Sequence, residues 1–351
     1  MTGPIRKIAA ALLLLGVVMT LSACGGGFIG GNAKANKPLS QALVSRIAAI
    51  GSTPGAGMMV RIFKQDSQLE IWKQSSSGDY KLLTTYKICA WSGDLGPKVK
   101  EGDRQAPEGF YNITPALMNP NSGYYLSFNT GYPNKFDRSY GRTGSNLMVH
   151  GDCSSAGCYA MTDESIADIY ALARESFRGG NKSVQLEIYP FRMTPENLAK
   201  VSTSPNMAFW KNIKQGYDQF ELTHRPPTWD VCNRQYVFNA NGPGGSPLDP
   251  TSVCPPLTRD PSLVAALEAK QASDELAYNN TVASITQKQQ ATADAAARQE
   301  AADASAKARG QALGSFFNNL GGGIFGGKTQ PVASTPTDPT AVTAPVPETR
   351  G

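Results

Sequence analysis

Hydrophobic positions along this 351-residue chain recur with two different periods. Over 58–64, 69–73 and 80–90 the β-branched and aromatic residues are dense, and the polar stretches 65–68 and 75–79 separate them, which predicts three strands joined by turns. Residues 147–150 form a short apolar strand that ends at a histidine, and Val184–Tyr189 alternates apolar and polar residues as a half-buried strand does. A period near 3.6 appears over 39–50, where Leu43, Ile47 and Ile50 share a face ahead of Gly51. The same period returns after Thr162 and Asp163, either of which can cap a helix carrying Ile166, Ile169, Tyr170, Ala173 and Phe177 until Gly179 and Gly180 stop it. The mixture predicts an α+β domain, mainly β with a few helices, over residues 39–240.

On either side of that block the pattern changes. Residues 241–260 are a Gly/Pro-rich loop, and 261–315 are crowded with Ala and Gln, lack proline beyond Pro261, and predict one long solvated helix whose Leu263, Leu267, Leu276, Val282 and Ile285 keep no clean heptad. The Gly/Pro/Thr-rich segment 316–351 has the composition of a disordered tail, with Phe316, Phe317, Ile324 and Phe325 as its docking candidates. At the other end, Arg6 and Lys7, an apolar run over 8–21 and the small residues Ser22 and Ala23 make 1–24 a secretory signal peptide, too short for a comfortable membrane span. Leu21-Ser22-Ala23-Cys24 resembles the bacterial lipobox, which implies that Cys24 becomes the lipidated first residue, that 25–38 is a flexible tether, and that acyl chains hold the protein to a membrane. In lipoproteins an Asp after the cysteine marks inner-membrane retention; Gly25 here implies the periplasmic side of the outer membrane.

Composition narrows the function class. The net charge of +5 is modest and unclustered, so no nucleic-acid footprint is present. Aromatic residues concentrate over 62–238, which places a single core in the first two thirds of the chain. Setting Cys24 aside leaves five of the six cysteines, Cys89, Cys153, Cys158, Cys232 and Cys254, an odd number in an oxidising compartment, so at least one thiol is left over or serves chemistry. Cys232 and Cys254 flank the Gly/Pro-rich loop and are plausible disulfide partners; two free buried thiols is the competing reading.

The chain has two histidines, and one of them opens the run His150-Gly151-Asp152-Cys153-Ser154-Ser155-Ala156-Gly157-Cys158. A thiol becomes a nucleophile as its thiolate, and an imidazole can take its proton, so Cys158 and His150 are the candidate nucleophile and base. Gly151 and Gly157 permit a tight backbone path, the amides beside Cys158 are candidates for an oxyanion hole, and the helix starting near Thr162 can add its dipole. Asp152 is a candidate to orient the imidazole and equally a solvated loop residue. Three other readings stay open: a metal site using His150, Cys153 and Cys158, a Cys153–Cys158 disulfide, and an inert buried cysteine. His224, beside Arg225, Pro226 and Pro227, reads as a structural surface histidine.

The run from His150 to Cys158 resembles the signature of the L,D-transpeptidases with a YkuD-like domain, in which a His-Gly pair precedes a Ser-x-Gly-Cys element, matched by Ser155-Ala156-Gly157-Cys158. The stretch Pro107-Glu108-Gly109-Phe110-Tyr111-Asn112-Ile113 and the flanking Gly96-Pro97-Lys98 and Gly102-Asp103 also resemble that family. The closeness of the two signature halves, with Cys158-Tyr159-Ala160-Met161-Thr162-Asp163 and Pro190-Phe191-Arg192-Met193-Thr194, resembles the YafK-like branch. The resemblance implies that Ser155, Gly157 and Gly151 shape the His150 environment and the oxyanion hole. Most members carry a substrate-positioning Arg two residues after the cysteine, where this chain has Ala160; Arg142 and Arg192 are substitutes by residue type alone. The loop between the signature halves is shorter than in the main family.

By the same resemblance, the expected chemistry is a thioester on Cys158 formed from the meso-diaminopimelate carbonyl of a peptidoglycan stem peptide, handed to an amine on another stem or on a wall-linked protein. Hydrolysis of the same acyl-enzyme, an amidase, is the alternative. A non-catalytic wall-binding lipoprotein is the alternative from another class. None of the three calls for a metal or an organic cofactor.

Overall fold

The structure is a computed structural model and describes residues 33–321, so Cys24, the signal peptide, the start of the tether and the chain beyond 321 lie outside the described residues. Ser40 opens the first helix, α1 (Gln41–Ala49), its hydroxyl accepting from the Leu43 amide at 3.2 Å, and Leu43 and Ile47 are buried on one face. Strands β1 (Met58–Phe63), β2 (Gln68–Gln74), β3 (Tyr80–Lys87), β4 (Ala90–Trp91), β5 (Gly109–Ile113), β6 (Met118–Asn119) and β7 (Ser127–Asn129) come after it. A short helix α2 (Lys135–Ser139), β8 (Met148–His150), β9 (Tyr159–Ala160), α3 (Asp163–Arg178), β10 (Val184–Tyr189), α4 (Pro195–Lys200) and α5 (Met207–Thr223) come next. The hairpin β11 (Trp229–Cys232) and β12 (Gln235–Phe238) and the long helix α6 (Pro261–Gly321) complete the described chain.

Two five-stranded sheets organise the α+β domain. The central one runs β3-β2-β1-β10-β5, with β1 and β10 parallel and the other pairs antiparallel. The smaller runs β4-β9-β8-β7-β6, with β8 and β9 parallel. Val60, Ile62, Leu186 and Ile188 pack beneath α1 and α3 together with Phe128, Val149 and Tyr159 of the small sheet, so one core joins both sheets. Phe63, Phe110 and Tyr189 face the opposite way, against Trp210, Ile213, Tyr217 and Phe220 of α5 and Tyr236 and Phe238 of the hairpin.

Because both faces of the central sheet are covered, the half-buried expectation for Val184–Tyr189 is corrected: Glu187 is 0% exposed and β1 is buried along its whole length. The charged members of the alternation are paired internally, although Nε and Nη2 of Arg61 are buried without a hydrogen bond. Arg61 pairs in register with Glu187 and Glu70, its Nε lies 3.4 Å from Glu187, its Nη1 donates to Glu221 at 2.8 Å, and its guanidinium sits 4.4 Å from the Tyr217 ring centroid and 4.8 Å from that of Phe220. Burial pushes the Glu187 carboxyl up to about 7, with Arg61 opposing.

The helix boundary also moves. Helix α6 runs past residue 315 to Gly321, and its segment up to Ile285 groups with the α+β domain. There Asp274 meets Lys214 at 2.5 Å and Lys270 at 2.8 Å, Lys270 lies 3.4 Å from Asp218, and Tyr278 packs against the aromatic core. From Gln287 to Leu320 the side chains are exposed. Ala-rich propensity and i,i+4 bonds such as Gln290 to Asp294 at 2.8 Å and Gln299 to Asp303 at 3.0 Å support that segment. Cys232 is bonded to Cys254 and lies buried beside Val237 and Leu248, so part of the 241–260 loop is tied to the hairpin.

Candidate active site

The small sheet places His150 at the end of β8 and Cys158 just before β9, the strand beside it. His150 closes β8, 4% exposed, opposite Ser127 on β7 and Ala160 on β9. The parallel register pairs Val149 with Tyr159, so one step back Cys158 lies beside Met148, whose amide donates to Sγ at 3.4 Å. Side chains two apart on a strand share a face, which sets Cys158 one such step from the Ala160–His150 pair. The imidazole Nδ1 is 2.6 Å from the Gly151 carbonyl; with the proton on Nδ1 donated there, Nε2 keeps its lone pair as a base needs.

Residues 151–157 connect the two strands without regular structure. Gly157 has φ +126, a conformation open to glycine. Gly151 is required for space instead of φ, because a Cβ there would lie 2.5 Å from Asp163 Oδ1 and 3.0 Å from the Tyr124 carbonyl. Ser155 knots the turn: its Oγ donates to the Cys158 carbonyl at 2.7 Å and accepts from the amides of Gly157 and Cys158 at 3.4 and 3.2 Å. Those two amides therefore face a neutral hydroxyl that a developing oxyanion would have to outcompete. Asp152 is exposed and donates its amide to Asp163 at 3.0 Å; the partner of the imidazole is the Gly151 carbonyl, so the solvated-loop reading holds for Asp152.

Cys153 is bonded to Cys89, which removes it from both the metal reading and the Cys153–Cys158 pairing. Cys158 is the one free cysteine among the described residues. Burial raises its thiol above the ordinary range, while the Met148 amide and the charge of Lys98 pull it down by less. Among the described residues no group of three or more His, Cys, Asp or Glu is placed to hold a metal.

Of the two substitutes by residue type for the absent Arg, Arg192 is engaged with Gln68 and Glu70, both at 2.8 Å, and Arg142 with Asp137 at 2.9 Å, so each guanidinium already has a partner within the domain. The residue facing His150 across the strands is Ala160, which is fully buried. The cation whose charge reaches Cys158 is Lys98, which stands in the Gly96-Pro97-Lys98 motif but carries no local mark of a site residue. Its Nζ donates to the Lys100 carbonyl at 2.9 Å and pairs with Asp103. Burial works to raise the Asp103 carboxyl, but the bond from Lys98 and the amides of Lys100, Gln105 and Val99 outweigh it and hold it at about 2.

The loop carrying Lys98 is fastened from beneath. Buried Lys64 donates to the carbonyls of Asp94, Gly96 and Ala106 at 2.8, 3.2 and 3.1 Å and to Glu108 at 3.0 Å, while Glu108 also accepts from the Gly96 amide at 2.7 Å and from Trp210 at 2.9 Å. That network gives the Pro107-Glu108-Gly109 stretch its structural reason. Tyr159, next to Cys158, donates to the Pro107 carbonyl at 2.7 Å. Half-exposed Tyr124 rests its ring 4.8 Å from the imidazole, and nothing in its sequence surroundings marks it as a site residue. His224 is an exposed, left-handed C-cap of α5.

Comparison with known proteins agrees in kind. The YkuD family, described as the L,D-transpeptidase catalytic domain, matches residues 57–185. YafK of Escherichia coli K12, a provisionally named L,D-transpeptidase, is 39% identical over 234 residues, spanning 67% of this chain and 91% of that protein, and the YafK of strain O157:H7 matches to the same extent. Among solved structures, the helical cell shape determining protein Pgp2 of Campylobacter jejuni aligns at 18% identity and a TM-score of 0.31, covering 54% of this chain and 80% of that one.

Proposed function

The chain belongs to the L,D-transpeptidase family with a YkuD-type catalytic domain, and from that membership we propose that it is a cysteine acyltransferase acting on peptidoglycan stem peptides, with Cys158 as nucleophile and His150 as base. The observation that carries the residue assignment is the one free thiol among the described residues, held one strand step from a buried imidazole whose Nδ1 is tied to a backbone carbonyl.

Burial raises the thiol above its ordinary range, and in this reading its proton leaves as attack occurs. Sγ adds to the carbonyl of the meso-diaminopimelate residue while Nε2 of His150 takes the thiol proton. Collapse of the tetrahedral adduct breaks the C–N bond to the terminal D-Ala, whose amine leaves with that proton, and a thioester remains. An acceptor amine, on another stem or on a wall-linked protein, then attacks the thioester as His150 takes its proton, and Sγ departs. Water in place of the amine gives the amidase outcome, and the short 151–157 loop leaves the half-buried thiol open to it. Oxyanion stabilisation falls to the Gly157 and Cys158 amides once Ser155 Oγ yields them.

Incubating purified enzyme with stem tetrapeptides and weighing the products tests this. A new peptide bond between two diaminopimelate residues supports transfer, an acid with no new bond supports hydrolysis, full turnover by Cys158→Ala refutes Cys158 as the nucleophile, and no turnover by the parent enzyme leaves the wall-binding reading. The lipid anchor at Cys24 belongs to the same proposal. Cys24→Ala is expected to move the protein from the outer-membrane fraction to the soluble periplasm, and a variant still held in the membrane would refute that anchor.

A further inference from the structure

Two disulfides lie among the described residues, and their surroundings are opposite. Cys232 is fully buried in its own apolar cluster, whereas Cys89 and Cys153 are both exposed. Cys153 sits inside the 151–157 connection, three residues after His150 and five before Cys158. It and Asp152 are consecutive non-glycine residues in the left-handed region, φ 40 and 69, a conformation that L side chains hold when their surroundings enforce it. Apart from the disulfide, Cys153 is held by a 3.3 Å bond from its amide to the Met161 carbonyl and Asp152 by its amide bond to Asp163. Across the disulfide, the Cys89 amide donates to the Ala160 carbonyl at 2.8 Å, and Ala160 is the register partner of both His150 and Ala90.

We propose that the Cys89–Cys153 disulfide is a positioning device for the reaction: it fixes the connection between base and nucleophile by clamping it to Cys89, which stands just before β4 and donates to Ala160 of β9, and its exposure makes catalysis dependent on its oxidised state. This inference rests on the Cys158 and His150 reading above. Opening the clamp takes a dithiol. One reagent thiolate attacks a sulfur of the pair and breaks the S–S bond, the second reagent thiol displaces the mixed disulfide, and two electrons and two protons leave the protein with two thiols and the reagent as its own disulfide. In the other disulfide Cys232 is fully buried and Cys254 half-buried, which slows the same exchange.

The test titrates the full chain with dithiothreitol until mass spectrometry shows Cys89 and Cys153 open and Cys232–Cys254 closed. Tetrapeptide turnover, far-UV circular dichroism and the pH midpoint for alkylation of Cys158 by iodoacetamide are then measured. The expected result is a loss of kcat of about tenfold or more with a smaller change in KM, an upward shift of the alkylation midpoint as imidazole and thiol uncouple, an unchanged fold, and recovery on reoxidation. The variant Cys89→Ser/Cys153→Ser is expected to behave as the reduced enzyme does, and Cys232→Ser/Cys254→Ser, kept oxidised, to retain kcat. Unchanged kcat and midpoint in the reduced protein overturn the proposal. Loss of the circular dichroism signal in step with activity also overturns it, because the disulfide would then support the whole domain. The alkylation midpoint needs no substrate, so a wrong substrate assignment leaves this test standing.

Discussion

The two five-stranded sheets share a core, yet they are built to different ends. The central sheet has strands of five to eight residues, its inner strands β1 and β10 are covered on both faces, and it carries charges with no access to water: Arg61, Lys73 and Glu187 are each 1% exposed or less. The small sheet has strands of two or three residues and is held by an exposed disulfide, a serine knot and a glycine where a Cβ would collide. Such short strands have little ladder of their own, so cross-links and loop bonds replace strand length as the source of order. The difference teaches that stability and chemistry are separated in space here, since the thiol and imidazole stand on the region with the least regular structure and the deepest polar contacts lie behind it.

Mutations can break that separation, and the largest contrast is expected between Cys158 and Arg61. Cys158→Ala is expected to leave no turnover above the uncatalysed rate, and His150→Ala to lower it by about 10²–10⁴-fold, both with unfolding midpoints in urea within error of the parent. Arg61→Ala strips Glu187 of its cation inside the core and is expected to lose about 3–5 kcal/mol by urea denaturation, with turnover per folded molecule unchanged. The pair Arg61→Met/Glu187→Met should recover most of that loss, because no lone charge then remains buried. A thermal or urea transition lowered by Cys158→Ala as much as by Arg61→Ala would erase the proposed division.

A smaller effect is expected from pH. Burial lowers the Lys73 ammonium to about 8, with Glu175 opposing, although its Nζ donates to the carbonyls of Pro54 at 2.9 Å and Ala56 at 2.5 Å. The folded protein thus holds this proton less tightly than the unfolded chain, so unfolding takes up a proton between about pH 8 and the ordinary lysine range. The contribution of Lys73 to stability therefore rises with pH across that window and is flat below it. Urea titrations at about pH 7.5, 8.5 and 9.5 should show this rise in the parent relative to Lys73→Met, and parallel curves would refute it.

Much of the fold is legible in the sequence because hydrophobic period is a local property: β1, β2, β3, β8, β10, α1 and α3 all stand on segments whose pattern announces them. The His150 to Cys158 run is legible because both groups lie in one short stretch. The features that escape depend on distant residues. Glu187 reads as a solvent-facing strand position until α5 covers it, and α5 itself goes unread although Phe209, Trp210, Ile213, Tyr217 and Phe220 recur at helical spacing. Gly216 interrupts that pattern, and it is there because a Cβ would meet Phe110 and Phe238 at 2.5 Å. The partner of Cys153 stands 64 residues away, beyond any local signal, and Arg142 and Arg192 have only charge to recommend them.

The smallest effects concern α6, where the composition boundary near Pro261 and the packing boundary differ. Composition changes at Pro261 because the helix beyond it is Ala-rich, but packing reports contacts, and through Tyr278 the helix covers a cleft of about 670 Å³ lined by Leu198, Phe238, Val264 and Leu267. Truncation after Thr258 removes Lys270 and Asp274 from the Lys214–Asp218 pair, takes Val264 and Leu267 away and uncovers Leu198 and Phe238, so a loss of about 1–3 kcal/mol in urea is expected, with turnover per folded molecule retained. Truncation after Thr286 removes a helical segment whose described side chains are exposed, and it is expected to leave both the urea midpoint and turnover unchanged. Equal destabilisation by the two truncations would show that the exposed part of α6 supports the catalytic domain; no destabilisation by either would show that the ion pairs and Tyr278 contribute nothing net. A loss confined to the shorter of the two truncated chains places the energetic boundary between Thr258 and Thr286, inside a continuous helix and not at its first residue.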